Sequence, residues 1–137
     1  MTTSRSLADG FATTLSNHDL DALAGLIHDD YINHNRYAEP GKAGAIAVFA
    51  HFLDAFDDFR VEVDDVLVDG DTVVGRYTYR GRHTGRFMGV PASGNEIEMH
   101  SIDIWRVRDG LFAEHWDELN TLELFQQIGA IPPLALD

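Results

Sequence analysis

EIEMHSIDIWRVRDGLFAEHWDELN, residues 96–120, is the stretch whose reading decides the fold. Two apolar, β-branched runs flank Asp109-Gly110, and an Asp-Gly pair in that setting is a strong short-range signal for a β-hairpin. Successive residues of a strand point to opposite faces. Met99, Ser101, Asp103, Trp105 and Val107 therefore share one face of the first strand, and Ala113, His115 and Asp117 share one face of the second. With both sets on the same side, Asp103, His115 and Asp117 converge. Two carboxylates and an imidazole among Met and Trp are costly to desolvate without a partner or a task, so the candidate site is read there.

Working outward, residues 121–128 read as a brief helix stopped by Gly129 and Pro132-Pro133. Upstream, residues 84–95 hold Gly85, Gly89, Pro91 and Gly94 and read as a long loop. Residues 72–83 are rich in β-branched and aromatic side chains and form a strand, joined through Asp69-Gly70-Asp71 to a strand carrying Val61, Val63 and Val66 to Val68. Before Phe59 the period is helical. Ile46, Phe49, Leu53 and Phe56 stripe a helix over residues 42–56, behind a loop at Pro40-Gly41. Residues 31–35 read as a short strand or an extended approach to the core. Asp19 caps a short helix with Leu20, Leu23 and Ile27 on its buried side, ended by His28-Asp29-Asp30. Leu7, Phe11 and Leu15 stripe a first helix over residues 4–17. Helices first, then four strands mostly joined by hairpins, predict an α+β fold with an antiparallel sheet and helices against one face. A sheet curved in this way leaves a cone-shaped cavity open at one end.

At 137 residues, 45% of them hydrophobic, the chain is read as one globular domain spanning residues 1–137. The formal net charge is −13, with one lysine against nine arginines, which makes nucleic acid or an anionic membrane a poor partner. No apolar run approaches the ~20 residues of a membrane helix, the N-terminus lacks a signal-peptide core, and cysteine is absent. The expected location is the cytoplasm. No phosphate loop, dinucleotide fingerprint or Gly-X-Ser-X-Gly elbow is present. His115-X-Asp117 would project two ligands to one side of a strand, but no ligand spacing of the His-Glu-X-X-His type accompanies it, so no metal is expected.

Beyond the hairpin, several segments resemble a known family. They are Asp30-Tyr31-Ile32-Asn33, Gly81-Arg82-His83-Thr84-Gly85, Gly89-Val90-Pro91, the run from Arg106-Val107-Arg108-Asp109-Gly110 to Glu114-His115-Trp116-Asp117, and Gln127-Ile128-Gly129. In order and spacing the chain resembles the SnoaL-like polyketide cyclases, within the nuclear-transport-factor-2-like (NTF2-like) superfamily. The resemblance implies an NTF2-like cone or barrel of sheet and helices, intramolecular aldol chemistry without metal or cofactor, and a homodimer. It also implies an acid/base aspartate near the end of the last strand, here Asp117. The family's assisting histidine on the preceding strand is replaced here by Asp103.

The residues themselves permit acid/base work. A carboxylate near its ordinary pKa of ~4 is a weak base, and burial or a second carboxylate raises it. Asp103 beside Asp117 predicts a coupled pair in which one member holds a proton and donates it to a carbonyl or enolate oxygen. The alternative for Asp103 is a structural carboxylate paired with Arg76, Arg80 or Arg106, whose parity places them on the other face. His115 is either a proton relay or an imidazole bonded within the sheet that holds Asp117. Tyr77, Tyr79 and His83 share parity along the cavity, Met99 and Trp105 line it, and Tyr31, Asn33 and His34 close it from the helical side. His100 points outward, and His18, His28 and His51 are read as surface or helix-end residues. Ile102, Ile104, Phe112 and Trp116, laced with the three arginines, form an apolar outer face suited to a homodimer.

The expected activity is a cyclisation or isomerisation of a small apolar carbonyl compound. The alternatives are a non-catalytic small-molecule-binding domain and a hydrolase that adds water to an epoxide, which needs an arginine inside the cavity.

Overall fold

The computed structural model describes residues 3–135. Helix α1 (Ser4–Ser16) starts at a reciprocal cap. The Thr3 hydroxyl accepts from the Ser6 N–H, and the Ser6 hydroxyl accepts from the Thr3 N–H. Leu7, Phe11 and Leu15 are buried along its stripe, as their spacing predicts. Helix α2 (Leu20–Ala24) is capped by Asp19, whose carboxylate accepts from the Ala22 N–H at 2.9 Å. It ends earlier than the apolar spacing suggests, because Ile27 opens strand β1 (Ile27–Asn33) instead of closing the helix. Helix α3 (Gly41–Ala55) leads directly into strand β2 (Phe56–Asp69), followed by β3 (Thr72–His83), β4 (Glu96–Arg108), β5 (Leu111–Leu119) and helix α4 (Thr121–Gln127).

The five strands lie in the order β1-β5-β4-β3-β2. The last four pair antiparallel, whereas β1 pairs parallel with β5. The sheet is therefore mixed and has five strands, not four, and it is open at both edges rather than closed into a barrel. Periodicity could not show this, because alternation reports which face a side chain takes and not the direction of the neighbouring strand. The β4–β5 hairpin turns at Asp109-Gly110 with φ of 56° and 72°, the left-handed pair that a two-residue turn of this hand requires.

Register shifts bend the sheet. Strand β2 carries two, between Asp57 and Arg60 and between Val63 and Asp65. Such irregularities curve a strand and increase its twist. Helix α3 packs against both edge strands, β1 and β2, and α1 packs on β2 and β3. The concave face is thereby roofed over, and the cavity lies between α3 and the sheet. Ile46, Phe49, Phe52 and Leu53 of α3 are only partly buried. For Phe49 and Phe52 the reason is direct: both face the cavity.

A third shift separates Arg106 from Val107, where Ala113 is the extra residue of β5. It turns Phe112 inward, opposite Val107, to stack on Trp105 with centroids 4.4 Å apart. Phe112 thus belongs to the core and not to the outer face. Ile102 and Ile104 do stand on that face, 52% and 37% exposed. No helix among the described residues is long and apolar enough to cross a membrane.

Candidate active site

The antiparallel register sets Asp103 opposite Asp117 and Trp105 opposite His115, all four toward the concave side. The cavity there measures about 310 Å³, at the small end of the ~300–1,000 Å³ typical of small-molecule sites. Its walls are mostly aromatic and aliphatic, with Phe11, Phe49, Phe52 and Phe59 beside Tyr31, Met99 and Trp105 among the lining residues. No arginine or lysine lines it among the described residues.

Asp103 is fully buried and its two oxygens are both engaged. Oδ1 meets His115 Nε2 at 2.7 Å, and Oδ2 accepts from the Ser101 hydroxyl at 2.6 Å. Ser101 spends its single hydrogen there, so the Tyr79 hydroxyl, 2.7 Å away, donates to Ser101 Oγ. Burial first, and the Asp103 charge second, push the Tyr79 phenol well above its usual range, so it remains a donor. The His115 ring is sandwiched between Trp105 at 5.2 Å and Tyr31 at 6.2 Å, and its Nδ1 lies 2.8 Å from Asn33 Oδ1.

Asp117 is partly exposed and both of its oxygens accept from Asn35 Nδ2 at 3.0 Å. Its pKa is raised above the ordinary carboxylate value. Burial is the main cause, with the Asp103 charge adding to it, while His115 and the Asn35 hydrogen bond pull the other way. The coupled dyad expected from the sequence takes a different form. Asp103 bonds to His115 and Ser101 instead of sharing a proton with Asp117, and desolvation outweighs charge repulsion. Arg76, Arg80 and Arg106 stay on the outer side, on Asp64, on Glu62 and Glu98, and on Thr72.

Other expected site residues divide by position. Tyr31, Asn33, Tyr79, Met99 and Trp105 line the cavity. His34, Tyr77 and His83 do not. His34 turns outward, stacks on Trp116 at 4.8 Å and pairs with Glu114 at 2.8 Å, because Asn33 and Asn35 take the inward positions on either side of it. Tyr77 lies along its strand and donates to the Ala8 carbonyl of α1 at 2.8 Å. His83 is buried under the 84–95 loop, where its Nδ1 accepts from the Ser93 N–H at 3.0 Å. His51 is exposed, as its reading as a surface residue expects, and it also lines the cavity, where it accepts from the Met88 N–H at 3.1 Å. Asn35 was not singled out by the sequence. The signal available was its two-residue spacing from Asn33, which alternation would have pointed the same way.

Asp103, His115 and Asp117 each offer one donor atom, and these lie within 4.8 Å of one another. The spacing could suit a metal ion. Yet His115 Nε2 and Nδ1 and both Asp103 oxygens already have partners 2.6–2.8 Å away, so the set reads as a hydrogen-bonded cluster and not as a ligand shell.

Known proteins share this fold. The sequence profile of the SnoaL-like polyketide cyclases matches residues 6–128. The chain belongs to that family. Among curated members, aklanonic acid methyl ester cyclase DnrD of Streptomyces peucetius is 28% identical over 114 residues, 80% of this chain and 79% of the relative. Among solved structures, TsrD of Streptomyces laurentii superposes with a TM-score of 0.86 at 35% identity, over 93% of this chain and 95% of its own. AclR of Streptomyces galilaeus, a candidate hydroxylase, superposes with a TM-score of 0.87 at 27% identity, over 96% and 83%. The α+β, NTF2-like cone of SnoaL-like proteins is thus the fold of this chain.

Proposed function

We propose that the protein is a cofactor-independent cyclase or isomerase in which Asp117 moves a proton at the carbon next to a carbonyl of a small, uncharged, largely apolar compound, such as a polyketide ester. The observation that carries the reading is a partly buried carboxylate in an apolar cavity, its basicity raised by burial. Asp117 takes the proton α to one carbonyl. The enolate carbon attacks a second carbonyl of the same molecule, a C–C bond forms, and the displaced π pair settles on oxygen as an alkoxide. Asp117 then returns the proton. Asp103 and His115 form the bonded pair beside it. Glu39, Asp103 and Asp117 line the cavity and, among the described residues, no arginine or lysine does, so an acid substrate must arrive masked, as an ester or thioester. Family membership and the cyclase DnrD support cyclisation among the reactions open to such a base. Water addition to an epoxide would need a cavity arginine, and none lines the cavity among the described residues. We further place the protein in the cytoplasm as a homodimer through the outer face of β4 and β5, where Ile102, Ile104 and Trp116 lie and Arg106 sits 5.3 Å over the Trp116 ring.

The test is proton exchange in deuterated buffer, followed by NMR, on a panel of uncharged aryl ketones and keto esters and their carboxylate counterparts. The native protein should accelerate exchange in the uncharged members only. Asp117→Asn should lose about 10²–10⁴-fold of that rate. Undiminished exchange in Asp117→Asn removes Asp117 as the base. Ligand binding without exchange, unchanged in Asp117→Asn, establishes a binding domain instead.

A further inference from the structure

The segment Asn33-His34-Asn35 touches both halves of the acid/base cluster, and its hydrogen bonds leave little freedom in how protons are placed. Asn35 Oδ1 accepts from the Tyr37 N–H at 2.8 Å. That contact fixes the orientation of the amide, so the Nδ2 side must face Asp117, where it donates to both oxygens. The Asn35 backbone N–H donates to Asn33 Oδ1 at 3.1 Å. Asn33 is fixed as well, because an amide turned over would set its NH₂ against that N–H. Asn33 Oδ1 is therefore an acceptor, and His115 Nδ1, 2.8 Å from it, must carry hydrogen. On the far side of the ring, Nε2 faces Asp103 Oδ1, and Asp103 Oδ2 already takes the Ser101 hydrogen.

We propose that Asn33 and Asn35 are positioning residues that set the proton inventory of the site: Asn33 locks His115 as an Nδ1–H donor, and Asn35 holds the Asp117 carboxylate toward the cavity. One proton lies on the Nε2–Oδ1 contact, so Asp103 and His115 together act as an internally neutral unit. With Nδ1 committed to Asn33 and Nε2 to Asp103, His115 offers no free basic nitrogen and is not the proton relay. Asp103 and His115 have side chains only 3% and 8% exposed. Asp117 is the member of the cluster that remains open to a substrate. The inference rests on the acid/base reading above and deepens it by separating the base from its support.

The test uses the full chain labelled with ¹⁵N-histidine, and it needs no turnover. Two-bond ¹H–¹⁵N spectra at neutral pH should place His115 Nδ1 among protonated nitrogens in the native protein. Asn33→Asp keeps an acceptor at the same position and should keep the signature. Asn33→Leu, close in size but without an acceptor, should lose it, with Nδ1 appearing wholly or partly unprotonated. In Asn35→Ala the ¹³C titration midpoint of the Asp117 carboxyl should move upward, since a donor that holds it down is gone. An unprotonated Nδ1 in the native protein overturns the proposal even if no variant folds. An unchanged Nδ1 in Asn33→Leu, or an unmoved Asp117 midpoint in Asn35→Ala, overturns it as well. If these signatures hold while no exchange is catalysed, the acid/base reading fails and the assignment of the two asparagines to the cluster stands.

Discussion

At Asp117 two influences oppose each other. Burial disfavours the ionised form, while His115 and Asn35 favour it, and the balance leaves the carboxyl harder to ionise than in water. A group whose pKa rises on folding stabilises the fold below its unfolded value and loses that contribution as pH rises through the folded value. At neutral pH an ionised Asp117 therefore costs stability. Asp117→Asn should melt at a higher temperature than the native protein at about pH 7, and the gain should shrink as pH falls through the raised pKa of Asp117 and vanish below about 3, under the ordinary carboxylate value, where both side chains are neutral. Thermal melts followed by circular dichroism at the two pH values check this. An equal or lower melting temperature at neutral pH would mean that the Asn35 hydrogen bonds outweigh desolvation.

Strand β3 shows how one element constrains the helix layer and the site together. Tyr77 reaches the Ala8 carbonyl only because its ring lies back over Gly75, where a Cβ would come within 2.5 Å of the ring. Gly75 is also the register partner of Asp103. A methyl there has to displace a ring that is fully buried and anchored at its hydroxyl. Gly75→Ala should cost about 1–3 kcal/mol in urea unfolding, the usual penalty of overpacking a core. A cost within ~0.5 kcal/mol would show that the Tyr77 ring moves freely. The β4–β5 hairpin depends on a different feature. Its turn was legible from Asp109-Gly110, but the bulge at Ala113 was not, because an extra residue leaves no local mark when its neighbours are all compatible with a strand. Alternation within β5 therefore placed His115 and Asp117 together and misplaced Phe112, on the far side of the bulge, and it is the bulge that sets the pair on the same side as Asp103.

The whole molecule presents an outer sheet face on which Ile102 and Ile104 stand among charged neighbours. Arg80 lies between Glu62 and Glu98 there, and Arg106 covers Trp116. A formal charge of −13 makes contact between two copies unfavourable wherever carboxylates meet unpaired, so an apolar strip whose arginines sit beside glutamates is the face best suited to pairing. Sedimentation should show a dimer for the native chain and a shift toward monomer, by about tenfold or more in dissociation constant, for Ile102→Glu, which buries a charge at the centre of the strip. A native monomer, or an unmoved dimer in Ile102→Glu, would place the interface elsewhere or remove it.

Most of the elements were legible in the sequence, because each depends on local physics: helical spacing in Leu7, Phe11 and Leu15, the cap at Asp19, and the Asp109-Gly110 turn. That His115 and Asp117 share a face was legible for the same reason, but their convergence on Asp103 was not fixed by the turn: the register of the two-residue turn alone sets Asp103 opposite Trp116, and the extra residue Ala113 brings it opposite Asp117. The direction of β1 and the inward turn of Phe112 were decided only by the tertiary structure. So was the placement of Asn33 and Asn35 against residues more than 80 positions away. Parallel pairing, bulges and hydrogen bonds between distant segments are set by which surfaces meet when the chain closes on itself, and no periodicity within one segment records that.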